Sequence, residues 1–213
     1  MHAFVLSLAI TVAMLMVPAG ASAHQVRIVE DVPITNVEEP EVSKAYYGRL
    51  RGEPAVFEIV ATEPFKMYLN VLVPAIEGAA KDVSAALANV DTPAVPIAVL
   101  DGSSGTWVEF FEPFARDSYF KGPEFTSMLA PGRYRVVVWS TNNDSAYSLA
   151  IGEREAFSVG DILDAFRDLP QMKSEFFGKT AYTAYLTPVL GGPIVLFIVL
   201  AAGMVYLVMR RRR

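Results

Sequence analysis

Between residues 45 and 152 the chain alternates short apolar runs with polar punctuation. The runs are "AYYGRL", "AVFEIVA", "FKMYLNVLV", "VPIAVL", "TWVEFF", "FTSMLA", "RYRVVVWS" and "AYSLAI", separated by "RGEP", "ATEP", "DGSSG", "APG" and "NNDS". Runs rich in β-branched and aromatic residues, bounded by Gly, Pro, Asn and Asp, are strand signals. Alternation sharpens the reading. Phe65, Met67, Leu69, Val71 and Val73 fall on one face of the third run, with Lys66, Tyr68, Asn70 and Leu72 on the other. In "RYRVVVWS", Tyr134, Val136 and Val138 oppose Arg133, Arg135, Val137 and Trp139. Strands with one apolar face bury it against a second sheet, so the pattern predicts a mainly β, antiparallel, jelly-roll-like β-sandwich over residues 45–155.

The pattern changes elsewhere. The acidic segment 24–44 has two prolines and no helical period, which predicts an extended lead-in with at most an edge strand at Gln25 to Val29. "IEGAAKDVSAALANVDTP" is small and weakly helical, and reads as a loop or short helix joining the sheets. "DGSSGT" reads as a hairpin turn. Over 156–179 the period becomes helical: Ser158 caps, Asp161 sits in the first turn, and Ile162, Leu163, Phe166 and Leu169 make a stripe before Pro170, which is expected to end the helix. This juxtamembrane helix packs on the sandwich or lies on a membrane; both readings stand.

The two ends carry apolar runs. "FVLSLAITVAMLMVPAG" followed by "ASA" reads as a signal peptide over 1–23, although its first residues carry no Lys or Arg. Residues 188–209 form an uncharged run followed by four arginines at 210–213. At ~1.5 Å per residue its 22 residues reach roughly 33 Å, enough for one transmembrane helix. The arginines place the C-terminus in the cytoplasm and the sandwich outside it, periplasmic or at the cell surface. A processed sorting signal is the rival reading of "GGPIVLF" and the Arg cluster.

Composition then narrows the chemistry. Residues 24–186 hold 14 Lys and Arg against 23 Asp and Glu, a net charge of −9, which argues against nucleic acid. There is no cysteine, so thiol nucleophiles, thiolate metal sites and disulfide support are excluded. The two histidines, His2 and His24, cannot furnish a His-rich metal centre or a Ser-His-Asp triad, since His2 is lost with the signal peptide. No cofactor and no metal is expected. Calcium held by Asp101, Glu112 and Asp117 is a weaker reading, without EF-hand spacing.

"AYYGRLRGEPAVFEI" and "PGRYRVVVWSTNNDSAYSLAIG" resemble the opening and closing strands of bacterial pre-peptidase C-terminal β-sandwich domains. The resemblance rests on the Tyr-bearing first strand and its Gly turn, then on Gly132, Tyr134, Val136 and Val138, then on Tyr147 and Leu149. It spans about residues 45 to 152 and implies a non-catalytic module attached to exported proteins. "MYLNVLVP" stands where many such domains have Asp-x-Asp-Leu, so no metal role is carried over.

One stretch resists the strand pattern. "TWVEFFEPFARDSYFKGPEF", residues 106–125, holds seven aromatics, six charges and two prolines. Phe110 and Phe111 are adjacent, so the aromatics cannot share one strand face, which predicts a long connection. Its rings either plug the open end of the sandwich or form a contact surface from Trp107, Phe114, Arg116, Asp117, Tyr119 and Phe120. The expected function is a membrane-anchored extracytoplasmic binding or assembly module. Its partners would be the lipid bilayer, through the C-terminal helix, and another envelope or membrane protein or a glycan. The alternative is a glycan-binding protein or a carboxylate-dependent hydrolase of the cell envelope, drawing on Glu109, Glu112, Asp117 and Glu124.

Overall fold

The computed structural model describes residues 24–113, 115–156 and 158–211. The expected signal peptide, Phe114 and the last two arginines lie outside the described residues. Two sheets face each other. The six-stranded sheet runs in the order β1 (Gln25–Ile28), β3 (Lys44–Arg49), β11 (Ala146–Ile151), β5 (Phe65–Pro74), β9 (Asp117–Leu129) and β8 (Val108–Glu112). The five-stranded sheet runs β2 (Thr35–Val37), β4 (Ala55–Ala61), β10 (Gly132–Trp139), β6 (Ser84–Asn89) and β7 (Ala98–Leu100). The pairs are antiparallel except at two edges, where β1 joins β3 and β2 joins β4 in parallel. The lead-in therefore does more than approach the sandwich: it supplies an edge strand to each sheet.

The core forms where the alternation places it. Phe65, Met67, Leu69, Val71 and Val73 of β5 meet Tyr134, Val136 and Val138 of β10, joined by Phe57, Ile59, Leu87 and Leu149. Each such side chain contributes roughly 1.5 to 3 kcal/mol by leaving water. The alanine-rich segment is corrected by this packing. Ser84–Asn89 is neither loop nor helix but a central strand, with Ala85 opposite Val138 and Leu87 opposite Val136. Helix propensity is a weak prior, and pairing on both sides against β10 and β7 overrides it. "DGSSGT" is likewise no hairpin, because it carries the chain from β7 in one sheet to β8 in the other. Asp101 shapes that crossover, accepting from the backbone of Ser103 at 2.9 Å and the hydroxyl of Ser104 at 2.6 Å.

Beyond the sandwich, α1 (Val159–Gln171) opens with the expected cap, the Asp161 amide donating to Ser158 Oγ and the Ser158 amide to Asp161 Oδ2. Arg27 reaches from β1 to Asp161 at 2.7 Å and ties this end to the sheet edge. Pro170 does not stop the helix. It deletes one N–H, and the chain continues to Gln171 and widens into a π-helical turn, Met172–Phe176. That turn sets Met172, Phe176 and Phe177 against Tyr47, Leu72, Ala150 and Tyr119 on the outer face of the six-stranded sheet. The helical segment thus packs on the sandwich through its C-terminal half, while Ile162 and Leu163 stay exposed. A 3-10 turn, Ala181–Leu186, leads into α2 (Pro188–Arg211), 24 residues long, whose most apolar 18-residue stretch has mean hydropathy 2.4, long and apolar enough to cross a membrane.

Candidate functional site

The stretch 106–125 is a hairpin rather than a long connection, which corrects the sequence expectation. β8 and β9 pair antiparallel from Val108↔Lys121 to Glu112↔Asp117, the pair that closes the hairpin at its turn. Two features let so irregular a sequence form strands. Pro123 falls where the register between β5 and β9 shifts, between Asn70↔Glu124 and Leu72↔Lys121, so its missing N–H breaks no ladder bond. The Asn70 amide secures this bulge by donating to the carbonyls of Gly122 and Pro123, both at 3.0 Å. Phe110 and Phe111, in turn, occupy an edge strand and need not share a face; they are 41% and 56% exposed.

The structure separates the six candidate residues. Trp107 is half-buried against the core, its Nε1 donating to Gly102 O at 2.9 Å, and its ring lies over Gly122, where a Cβ would approach it to 2.8 Å. Phe120 is half-buried beneath Lys81 Nζ, 4.2 Å from its ring centre. Arg116 is exposed and adopts φ +56°, closing the turn in the left-handed region. Asp117 and Tyr119 point inward instead. Asp117 has 0% side-chain exposure, and its carboxylate is held between Lys173 Nζ at 2.5 Å and Lys179 Nζ at 2.7 Å. Lys173 also donates to Ala115 O in the hairpin turn. Phe114 lies outside the described residues.

Buried Lys173 and Tyr47 and the partly exposed Lys179 complete this site, and little in their sequence context pointed to it. The Tyr47 and Tyr119 hydroxyls meet at 2.7 Å, with Phe176 and Phe177 stacked edge-on around them. Burial pushes both phenols well above the ordinary tyrosine range, that of Tyr119 further through the neighbouring Tyr47 and the carboxylates of Glu112 and Asp117. Burial pulls the Lys173 ammonium down, opposed by its bond to Asp117. A buried charge survives only when paired and hydrogen-bonded, and both conditions hold here. One signal was readable: Lys173 and Lys179 flank the apolar "FF" of "MKSEFFGK", a spacing at odds with a solvated face.

The arrangement bears on the carboxylate chemistry considered above. Glu112 Oε2 accepts from the Ala115 amide at 2.6 Å, inside the turn it closes. Asp117, its cross-strand neighbour, is sealed from solvent and neutralised by two lysines. Asp101 is engaged in the crossover with Ser103 and Ser104. Among the described residues, no three His, Cys, Asp or Glu side chains converge to hold a metal. A cavity of about 630 Å³ opens between β1 and β2, lined by Arg27, Lys44, Glu38 and Tyr46. Its cations are already engaged, Lys44 with the carbonyls of Glu38 and Glu39 and Arg27 with Asp161.

No family model and no curated protein matches the chain. Solved structures to which the chain is similar include the following three. The pre-peptidase C-terminal domain of a collagenase from Bacillus anthracis matches at 11% identity and TM-score 0.34, over 61% of this chain and 96% of that domain. CorA, a surface-associated copper-binding protein of Methylomicrobium album BG8, matches at 9% identity and TM-score 0.29, over 61% of this chain and all of that one. A β-glucosidase from Paenibacillus barengoltzii matches at 11% identity and TM-score 0.26, over 60% of this chain and 13% of the enzyme. The chain thus resembles pre-peptidase C-terminal-like β-sandwich domains at low sequence identity.

Proposed function

We propose that this protein is a membrane-anchored, extracytoplasmic β-sandwich module that binds or assembles rather than catalyses. The observation that carries the reading is the clamp of Asp117 between Lys173 and Lys179, which fixes the sandwich to the segment leading into α2. Asp117 and Lys173 are buried in this clamp while Lys179 is 42% exposed at its rim, so the join at the root of α2 is a packed one rather than a flexible tether. The edge strand β8, with Phe110 and Phe111 exposed, and the adjoining Trp107, Arg116 and Phe120 form the contact surface. Asp117 and Tyr119 serve it from beneath by fixing the hairpin. A hydrolase reading is disfavoured because Asp117 has no surface to offer a substrate. Protease added outside intact cells or spheroplasts should digest the sandwich, and protection of it would overturn the topology. Turnover of an envelope glycan or peptide that disappears with Glu112→Gln would overturn the non-catalytic assignment.

A further inference from the structure

The β8–β9 turn and the start of α2 lie at one end of the molecule. Lys173 bonds the carbonyl of Ala115 in the turn, and Lys179 bonds Asp117 at its foot. Only residues 180–187 separate Lys179 from α2, and six of them are wound into the 3-10 turn, which at ~2.0 Å per residue advances about 12 Å. Leu190, in the first turn of α2, is fully buried and belongs with Ala115, Ala184 and Met172 to one apolar cluster. A span whose first turn is packed into the domain leaves no stalk, so this end of the sandwich rests at the bilayer surface.

Around that end the exposed apolar and amphipathic side chains are Phe110 and Phe111 on β8 and Tyr182, Tyr185 and Leu186 on the 3-10 turn, interspersed with the exposed charges of Glu109, Arg116, Glu175 and Lys179. Tyrosine rings collect at the headgroup level of membrane proteins, and Phe and Leu side chains of an element lying in the interface bury at the headgroup and acyl boundary. Phe110 and Phe111 project from opposite faces of an edge strand, and a lipid layer can bathe both faces where a single protein surface covers one. The unpaired outer edge of β8 limits the depth, because its backbone groups still need water, which the headgroup layer holds and the hydrocarbon does not. Arg116, exposed at the turn, is placed to meet lipid phosphates, while the exposed Glu109 also holds the strand at the polar level.

We infer that the β8–β9 hairpin is a membrane-interface element: Phe110 and Phe111 insert into the headgroup layer of the same bilayer that α2 crosses, forming one belt with Tyr182, Tyr185 and Leu186. This rests on the anchored reading above. The chain has no cysteine, so single cysteines can be labelled in the full-length protein without removing native ones. Nitroxides at Phe111→Cys, Phe110→Cys, Tyr185→Cys, Val199→Cys in α2 and Val60→Cys are placed in nanodiscs of phosphatidylcholine and phosphatidylglycerol. Val60, 63% exposed on the outer face of the five-stranded sheet, is the aqueous reference. Collisions with a water-soluble nickel chelate should fall several-fold at residues 110, 111 and 185 relative to 60, with residue 199 shielded most. Residues 110 and 111 matching 60 while 199 is shielded would overturn the inference and leave the anchor standing. An aqueous reading at 199 would overturn both. All the substituted side chains are exposed, and unchanged melting of each variant checks that the fold is kept.

Discussion

Lys173 Nζ lies 2.5 Å from Asp117 Oδ2 with both side chains essentially without solvent exposure, 2% and 0%. This contact joins the first residue of β9 to the π-helical turn after α1, across 56 positions of sequence. Lys179 adds a second cation to the same carboxylate, and the Ala115 carbonyl of the hairpin turn accepts a hydrogen bond from Lys173. The fold and its route to α2 are thereby one unit.

Removal of the shared anion should be severe. Asp117→Ala leaves Lys173 buried without its counter-charge and should lower stability by about 3 to 5 kcal/mol. Lys173→Met keeps the volume and leaves Asp117 with Lys179, so it should cost clearly less. Chemical unfolding of the full chain in detergent measures both. An Asp117→Ala variant within about 0.5 kcal/mol of the parent would show that the triad contributes nothing.

Alkaline pH should loosen the same region. The phenols of Tyr47 and Tyr119 titrate above the ordinary value in the folded protein because they are buried. The unfolded chain then releases these protons first. Their contribution is fully present below the ordinary tyrosine value of about 10 and declines as pH rises from there through the folded values. Phenolate absorbance of these two tyrosines should rise together with loss of near-ultraviolet circular dichroism. Ionisation of both within an intact fold would contradict the burial. Tyr47→Phe and Tyr119→Phe identify their share of the signal.

Tyr119 and Phe111 should separate core from surface within one hairpin. Tyr119→Ala empties a buried aromatic site between Phe176 and Phe177 and should cost about 3 to 5 kcal/mol. Phe111→Ser, at an exposed edge position, should change stability by less than about 0.5 kcal/mol. Thermal unfolding of the two variants side by side decides it; equal losses would place Phe111 in the core.

The docking of α1 should depend on its first turn. Ser158→Ala removes the cap that receives the Asp161 amide, at a cost of about 1 kcal/mol. Arg27→Ala releases Asp161 from β1. Hydrogen exchange of amides 162–165 should quicken in both variants, with β10 amides unchanged. A uniform change across the chain would mean that the cap acts on the whole fold instead of on the helix.

How much of this was legible beforehand follows from range. Alternation in "FKMYLNVLV" and "RYRVVVWS" assigned every inward residue of β5 and β10, because strand period is local and both strands bury one face in a shared core. The Ser158 to Asp161 capping box and the apolar run of α2 were readable for the same reason: neighbours in sequence determine them. Ser84–Asn89 became a strand only by pairing with β10 and β7, partners about 50 residues downstream and about 10 residues ahead. Pro123 could sit in β9 only because β5 offered a bulge held by Asn70. The stretch at 106–125 looked like a loop because its aromatics obey no single period: it holds two strands, of which β8 is an edge strand with both faces exposed and β9 carries a register shift. Asp117 read as a surface carboxylate, since nothing in "FARDSY" announces that two lysines from beyond the sandwich will close over it. Burial of a charge is decided by the groups that come to meet it, and those arrive only when the chain has folded.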